Sequence, residues 1–141
     1  MSYSPSIFIT VDAVVISKED QHNFVLLIKR KNEPFKNQWA FPGGFVEKEE
    51  LVQRACQREL KEETGLGINE KDLSFLDYYD QIGRDPRSRT ITFAFTAFID
   101  SRTEVKGDDD AAEARWFDAQ HLPKLAFDHS EIIRDALHKI L

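Results

Sequence analysis

The sequence predicts an α+β domain in which a mixed β-sheet is covered by helices on both faces. Apolar, β-branched strand patterns outnumber helical patterns along the chain. One helical pattern lies between the early and late strands, and a second lies at the end of the chain. Each helix must bury an apolar face, and the two faces of one sheet can accommodate both helices.

Two strands and a short third segment are predicted ahead of the first helix. Residues 7–16 and 24–29 are apolar and rich in β-branched side chains, as buried strands are. A proline-containing loop at 32–38 follows, then the aromatic segment 39–41 and the Pro-Gly-Gly tripeptide at 42–44. We interpret this tripeptide as a tight turn, because glycine permits backbone conformations that other residues avoid.

The first helix is predicted over residues 51–64. Gly65 follows it, and glycine favours the left-handed conformation found at the ends of helices. Three more strands are predicted at 73–79, 90–99 and 115–117. In the second of these, apolar residues alternate with threonines, which is typical of a strand buried on one face only.

A second helix is predicted to begin at Asp128 or Ser130. Asp128 and Glu131 have the spacing of a capping box, so residues 127–129 are interpreted as the start of a helix and not as a site. The apolar face of this helix consists of Ile132, Ile133, Ala136, Leu137 and Ile140. Four histidines lack the spacing of metal ligands and receive no role: His22, His121, His129 and His138.

Length and composition fit one globular domain spanning residues 1–141. Apolar residues make up 41% and charged residues 31% of the chain. No apolar run approaches the ~20 residues of a membrane helix, and the N-terminus lacks the basic start of a signal peptide. Cys56 is the only cysteine, so no internal disulfide can form. We therefore expect a protein of the reducing cytoplasm.

The net charge of −6 narrows the class of ligand. Neither a basic tail nor a basic stripe is present, which argues against binding to nucleic acids or membranes. An acidic protein repels an anionic small molecule unless cations lie between them. The charge balance is therefore compatible with a phosphorylated substrate that binds together with metal ions.

Three glutamates lie close together near the end of the first predicted helix: Glu59, Glu62 and Glu63. With Glu59 set at zero and about 100° per residue, Glu63 falls at about 40° and Glu62 at about 300°. The apolar residues of the helix occupy the same sector, whereas its other polar residues lie opposite. A solvated surface is the common explanation of such a cluster, but these acids lie over the inward-facing sector.

Nothing local stabilises this acidic cluster. Two carboxylates about 5 Å apart repel by roughly 3 kcal/mol at an effective dielectric constant of about 20. They also lie near the negative end of the helix dipole. Mg²⁺ binds carboxylate and phosphate oxygens and would relieve both effects, and Mn²⁺ is an alternative ion. We therefore predict a magnesium site.

The segment 44–66, GFVEKEELVQRACQRELKEETGL, fills every defining position of the Nudix box. The chain thus resembles the Nudix hydrolases, whose fold is an α/β/α sandwich with a mixed sheet. The resemblance implies that Glu59 and Glu63 bind the metal ion with assistance from Glu62. It assigns Glu62, Glu63 and Arg58 to the catalytic machinery. The implied reaction is hydrolysis of a nucleoside diphosphate linked to another group.

Three residues around this helix each allow two explanations. Arg58 can orient the acids, or it can be an ordinary surface cation. Glu50 can favour the helix N-terminus through its charge, or it can contact the metal ion. Gly44 can bring its backbone carbonyl to the metal ion, or it can serve the turn alone. We include Gly44 among the predicted metal ligands because it directly precedes the acidic helix.

The attacking water also needs a general base, which in many Nudix hydrolases is an acid outside the box. The candidates are Asp108, Asp109, Asp110 and Glu113. Such an acidic run is also typical of a solvated loop. Among these residues we favour Asp110 as the base.

Residues 83–90 contain three arginines, Arg84, Arg87 and Arg89. Because guanidinium groups match phosphate oxygens, we predict that this segment binds the substrate. The alternative is a loop tip whose arginines pair with surface acids. Trp39 is a candidate for stacking on the base of a nucleotide, although core packing is the more common role for an aromatic residue beside a turn.

Three further segments, LLIKRKNEPFKNQWAFPGGFV, VKGDDDAAEARWF and LAFDHSEII, resemble the ADP-ribose pyrophosphatase branch of the family. This resemblance implies cleavage of ADP-ribose to AMP and ribose 5-phosphate by a homodimer. Two alternatives stay open, namely removal of oxidised nucleoside triphosphates and non-catalytic ligand sensing in a transcription regulator. We favour the hydrolase because every acid of the box is present and no DNA-binding module is expected after the last strand.

Overall fold

The computed structural model describes residues 5–139. Its strands are β1 (Phe8–Glu19), β2 (His22–Arg30), β3 (Trp39–Ala40), β4 (Gly43–Phe45), β5 (Ser74–Tyr79), β6 (Thr90–Ile99) and β7 (Ala111–Asp118). The helices are α1 (Val52–Thr64) and α2 (His129–His138), with a 3₁₀ turn at Glu70–Asp72. The sheet follows the order β3-β2-β1-β6-β5, with β4 beside β1 and β7 beside β2. β1 and β6 run parallel and the other pairs are antiparallel, so the predicted mixed sheet is confirmed.

The helices cover opposite faces of the sheet. Successive side chains of β1 point to opposite faces and join two separate apolar clusters. The cluster under α1 includes Val11, Ala13, Val15, Ala55, Cys56 and Leu60. The cluster under α2 includes Val14, Ile16, Ile132, Ile133 and Ala136. Each helix thus buries its apolar side on the sheet, and the α/β/α sandwich is confirmed.

Most predicted elements are present, with small changes at their ends. α1 ends as predicted, because Gly65 adopts a φ of 80° and donates its N–H to the carbonyl oxygen of Lys61 at 2.9 Å. β7 is longer than predicted, which places Asp110 directly before a strand. Ile140, predicted on the apolar face of α2, lies outside the described residues.

Two local predictions are wrong. Gly43 and Gly44 belong to a strand and not to a turn, because β4 pairs with β1 at very close range. A Cβ atom on Gly43 would lie 2.0 Å from the carbonyl oxygen of Val11, so only glycine fits there. The capping box is also wrong, because the carboxylate of Asp128 accepts hydrogen bonds from Arg84 and forms no cap on α2.

The prediction that β6 is buried on one face only is also wrong. Its threonines Thr90, Thr92 and Thr96 are as buried as its apolar residues. Both faces are covered in this sandwich, so the polar side of β6 lies inside the molecule. Among residues 5–139, no helix combines the length and hydropathy needed to cross a membrane.

Candidate active site

A cavity of about 400 Å³ lies where α1, β4 and the start of α2 approach the sheet. Seven separate segments of the chain contribute polar or charged side chains to its wall. Among the residues predicted for the site, the following border this cavity: Gly44, Arg58, Glu59, Glu63, Arg84, Arg87 and Asp110. The fold therefore brings the acidic helix and the arginine segment together.

Glu63 and Glu59 face the glycines of β4. Glu63 is only 3% exposed, and its Oε1 accepts a hydrogen bond from the N–H of Gly43 at 2.8 Å. A Cβ atom added to Gly44 would lie 2.5 Å from Oε2 of Glu59. The absence of a side chain at Gly44 therefore lets the Glu59 carboxylate lie against the backbone of β4.

Burial makes both carboxyl groups weak acids. Burial raises the pKa of Glu63 to about 9, although the hydrogen bond from Gly43 opposes this shift. The charges of Glu59 and Asp110 contribute to this raised value. Burial likewise raises the pKa of Glu59 to about 7, against the opposing effect of Arg58. The protein alone does not compensate the charge of this pair, and a bound cation would do so.

Arg58 holds the acids of the box in place. Its Nε and Nη2 donate to Glu50 at 2.6 and 2.9 Å. Its Nη1 donates to Glu59 at 2.7 Å and to Glu62 at 3.2 Å. Glu50 therefore anchors Arg58 from the segment before α1, and Arg58 is more than a surface cation. Glu62 has a 39% exposed side chain and stands beside the cavity wall, not in it.

The residues present fit a divalent cation that keeps part of its own shell. Within residues 5–139, no three acidic, histidine or cysteine side chains converge to form a complete metal cage. Glu59 and Glu63 nevertheless lie together beside the backbone of Gly44, on a cavity large enough for a substrate. Mg²⁺ is commonly bound by one or two carboxylates, with water and substrate phosphates as its other ligands.

The acidic run before β7 reaches the cavity through one residue. Asp110 is exposed and borders the cavity, and its charge contributes to the raised pKa of Glu63. The N–H of Asp108 donates to the backbone oxygen of Glu63 at 3.1 Å, which ties this loop to the end of α1. Glu113 lies within β7 and pairs with Arg115.

The three predicted arginines have different positions. Nε and Nη2 of Arg84 donate to Asp128 at 2.8 and 2.6 Å, and Arg87 forms a similar pair with Asp85. Arg84 and Arg87 border the cavity. Arg89 does not border it and donates to the carbonyl oxygen of Asp80 at 2.7 Å.

Trp39 packs in the fold and does not border the cavity. Its ring meets that of Phe117 edge to face at 4.7 Å, and the guanidinium of Arg115 lies 5.2 Å from its centroid. The core-packing explanation of Trp39 therefore describes its position.

The sequence reasoning missed a buried polar group formed by Asp12 and His129. Asp12 accepts a hydrogen bond from Thr92 at 2.6 Å, and its other oxygen lies 3.3 Å from Nε2 of His129. The N–H of Phe41 donates to Nδ1 of His129 at 3.1 Å. Nδ1 is therefore unprotonated, and Nε2 carries the proton that faces Asp12.

Asp12 stays ionised in this buried place. Burial raises its pKa, but the hydrogen bonds from His129 and Thr92 and the positive charge of Arg84 outweigh burial and hold the pKa below its ordinary value. The sequence offered one signal for this residue, an acid within an otherwise apolar strand. His129 offered none, because it meets Asp12 only through the tertiary fold.

Arg30 and Phe127 were also missed. The guanidinium of Arg30 lies 5.0 Å from the ring centroid of Phe127, and its Nε donates to the carbonyl oxygen of Pro34 at 2.7 Å. The ring of Phe127 lies 4.8 Å from that of Phe35 with the planes tilted by 59°, and both residues have positive φ angles, 52° and 61°. Within residues 5–139, Arg30 forms no ion pair, unlike the other arginines that border the cavity.

Two carboxylates and several arginines that border one cavity are the arrangement expected of a phosphohydrolase that works with a metal ion. The profile of the NUDIX domain matches residues 8–136. The chain belongs to this family.

Several proteins of known structure or name are similar to this chain. An ADP-ribose pyrophosphatase from Methanocaldococcus jannaschii is 48% identical over 127 residues, covering 90% of this chain and 71% of that protein. The NUDIX domain of Shewanella oneidensis NrtR, solved in complex with ADP ribose, has a TM-score of 0.88 and 28% identity, covering 99% of this chain and 94% of that one.

A third similar protein is longer than this chain. It is a bifunctional NMN adenylyltransferase/ADP ribose pyrophosphatase from Francisella tularensis, solved with AMP and a manganese ion, with a TM-score of 0.85 and 31% identity. The match covers 98% of this chain but only 43% of that protein.

Proposed function

We propose that this Nudix hydrolase cleaves the pyrophosphate bond of ADP-ribose, with Mg²⁺ as its cofactor. Water adds to one phosphorus, one bridging P–O bond breaks, and the products are AMP and ribose 5-phosphate. The observation that carries the proposal is the carboxylate pair of the half-buried Glu59 and the buried Glu63, held against Gly44 and Gly43 in the cavity wall.

The choice of ADP-ribose has two supports. The relative that is 48% identical is named an ADP-ribose pyrophosphatase, and the NrtR domain was solved with ADP ribose bound. The cavity also combines carboxylates, guanidinium groups and the phenylalanine rings of Phe45 and Phe127. These are the partners that a metal-bound pyrophosphate and a purine base require.

Each residue has a specific part in this proposal. Glu59 and Glu63 would hold the metal ion, with the Gly44 carbonyl and Glu62 as further oxygen ligands. When bound, Mg²⁺ supplies neutralisation of the pyrophosphate charge and a more acidic water. Arg58 keeps the carboxylates oriented. Asp110 receives the proton that the attacking water loses.

The arginines divide into binding and supporting residues. Arg84 and Arg87 border the cavity and contact the substrate. Arg89 and Trp39 lie outside the wall and act indirectly, by holding the segment before β6 and the strand β3 in place. Arg30 joins the binding residues, because its guanidinium forms no ion pair within residues 5–139 and suits an anionic phosphate oxygen.

Cytoplasmic location and assembly as a homodimer belong to the same proposal. The buried, unpaired Cys56 supports the reducing compartment. Light scattering of the purified protein measures the assembly directly, and a monomer at all concentrations would remove the homodimer.

Product analysis over a substrate panel tests the function. The panel contains ADP-ribose, NADH, GDP-mannose, diadenosine polyphosphates and oxidised dGTP, each with and without Mg²⁺. We expect the highest kcat/KM for ADP-ribose, with equal amounts of AMP and ribose 5-phosphate. A preference for oxidised dGTP with release of inorganic pyrophosphate would replace the proposal, and tight binding of ADP-ribose without turnover would indicate a sensing domain.

A further inference from the structure

The cavity has a buried end formed by three side chains, Asp12, Arg84 and His129, that the proposed metal chemistry does not use. Asp12 is 7% exposed and His129 3%, and the side chain of Arg84 is 4% exposed. All three nevertheless border the cavity. Buried polar groups are tolerated where they are hydrogen-bonded, and any donor or acceptor capacity left over can bind a polar ligand.

The geometry at this end fixes one donor and one acceptor. The carboxylate of Asp128 accepts hydrogen bonds from Nε and Nη2 of Arg84, whereas Nη1 has no hydrogen-bond partner among the described residues. The oxygens of Asp12 each receive one hydrogen bond, from Thr92 and from His129, and each oxygen can accept one more. The buried end therefore offers a guanidinium N–H beside a carboxylate oxygen.

The charge at the buried end disfavours phosphate. His129 is neutral here because its Nδ1 accepts the N–H of Phe41. Asp12 and Asp128 contribute two negative charges against the single positive charge of Arg84. The two N–H donors of Arg84 that could bind a phosphate in a bidentate manner already donate to Asp128. An additional phosphate group would face the carboxylate of Asp12 with no free bidentate partner.

A base is equally unsuited to this end. Purines need exposed flat apolar surfaces, and Phe45, which is 43% exposed, provides one in the cavity wall. The rings beside His129 are less available, because Phe41 is only 2% exposed and Phe127 already packs against Phe35 at 4.8 Å. Neighbouring hydroxyl groups fit both polar groups, since a hydroxyl donates one hydrogen bond and accepts others. One hydroxyl can donate to Asp12 while its neighbour accepts from Nη1 of Arg84.

We propose that Asp12, Arg84 and His129 form a binding site for the neutral vicinal diol of the terminal sugar. Asp12 and Arg84 contact the hydroxyls, and His129 positions Asp12. This site selects a diphosphate linked to a sugar over a nucleoside triphosphate, which has a charged phosphate in that place. The inference rests on the proposed cleavage of ADP-ribose.

A substrate–variant cycle tests the site. The substrates are ADP-ribose, its analogue without the 2-hydroxyl of the terminal sugar, and its analogue without the 2-hydroxyl of the adenosine ribose. The enzymes are the wild type, Asp12→Asn, and the exposed-strand control Asp77→Asn. Asparagine keeps the shape of Asp12 and can still accept from His129, and a thermal melt checks that the variant is folded.

We expect the wild type and Asp77→Asn to lose tens-fold in kcat/KM, chiefly through KM, when the terminal hydroxyl is removed. Asp12→Asn should lose about threefold or less for the same change, because the hydroxyl has lost its charged acceptor. Removal of the adenosine hydroxyl should cost the wild type and Asp12→Asn the same factor. Asp12→Asn should also bind ATP more tightly than the wild type does.

The outcomes separate the two proposals. If the wild type cleaves ADP-ribose but Asp12→Asn keeps its full discrimination at the terminal sugar, the diol site is overturned and the proposed function stands. If removal of the adenosine hydroxyl costs Asp12→Asn a different factor in kcat/KM than it costs the wild type, the assignment to the terminal sugar is also overturned. If the wild type does not cleave ADP-ribose at all, both proposals fall.

Discussion

Glu63 combines two roles, because its carboxylate faces the cavity while Oε1 accepts from Gly43. Glutamine can keep this hydrogen bond but cannot supply the negative charge for a metal ion. We therefore expect Glu63→Gln to fold and to lose about a thousandfold in kcat, equivalent to about 4 kcal/mol of activation free energy. Steady-state rates at saturating Mg²⁺ check this, with the exposed Glu104→Gln as control. Near wild-type turnover of Glu63→Gln would remove Glu63 from the metal site.

Gly44 offers a second test at the residue scale. A Cβ atom there would meet Oε2 of Glu59 at 2.5 Å, so Gly44→Ala must displace the Glu59 carboxylate. We expect at least a tenfold loss of kcat/KM and a higher Mg²⁺ concentration for half-maximal activity. Gly67→Ala is the matched control, because its nearest neighbour is the flexible Lys61 Nζ at 3.9 Å. An unchanged Mg²⁺ requirement in Gly44→Ala would separate Gly44 from metal binding.

Residues within one helix could be predicted, whereas residues that meet across the fold could not. The direction of Glu59 and Glu63 follows from the 3.6-residue period of α1 alone. Asp12 and His129 lie far apart in the sequence and meet because β1 carries Asp12 on the face that α2 covers. Local patterns contain no information about that meeting.

At the scale of elements, the link between the segment before β6 and the start of α2 is a testable contact. Arg84 reaches Asp128 with two hydrogen bonds, and its side chain is 4% exposed. Asp128→Asn removes the carboxylate that is hydrogen-bonded to this buried guanidinium. We expect a loss of about 2–4 kcal/mol in the free energy of unfolding and a higher KM for ADP-ribose.

The control for this variant lies on the same helix. Asp135 accepts a hydrogen bond from the hydroxyl of Tyr79 at 2.8 Å, far from the cavity wall. Asp135→Asn can keep that bond and should leave KM unchanged. Urea unfolding and Michaelis kinetics measure both quantities. Equal stability and equal KM in Asp128→Asn and the wild type would show that the contact does not position the segment.

The same contact explains why the predicted capping box is wrong although the helix begins where it was expected. Asp128 has the residue type and spacing of a capping box, but its carboxylate is committed to Arg84. A long-range charge pair thus replaced a local cap. Where no long-range contact competes, the local sequence pattern predicts the helix end correctly, as Gly65 does after α1.

At the scale of the whole molecule, the layered sandwich could be predicted but the order of its strands could not. Counting strands and helices favours a sheet covered on two faces, and the structure has that arrangement. The parallel neighbours β1 and β6 are distant in sequence, and the short β4 lies beside β1 only because glycines permit the approach. These pairings depend on packing and not on any periodic pattern.

The stability of the whole molecule should depend on pH through the buried carboxyl pair. The folded-state pKa values of Glu59 and Glu63 are raised to about 7 and about 9, from 4.5 without the fold. Between the unfolded pKa and the folded pKa of each group, the folded state binds more protons than the unfolded state. Stability is therefore greatest below the unfolded pKa and falls as the pH rises towards the folded pKa. Each group contributes up to about 1 kcal/mol per pH unit within its window.

We therefore expect the metal-free protein to lose several kcal/mol of unfolding free energy between pH 5 and pH 9, from roughly 1 kcal/mol per pH unit and group. Saturating Mg²⁺ should flatten this slope, because the ion stabilises the ionised carboxylates in the folded state. Glu63→Gln should flatten it without metal, because one of the two titrating groups is gone. Urea unfolding in EDTA and in Mg²⁺ measures these slopes. Two results together would show that the carboxylate pair is not the site of the cation. The slope of the wild type would be the same in EDTA and in Mg²⁺, and Glu63→Gln would have that same slope.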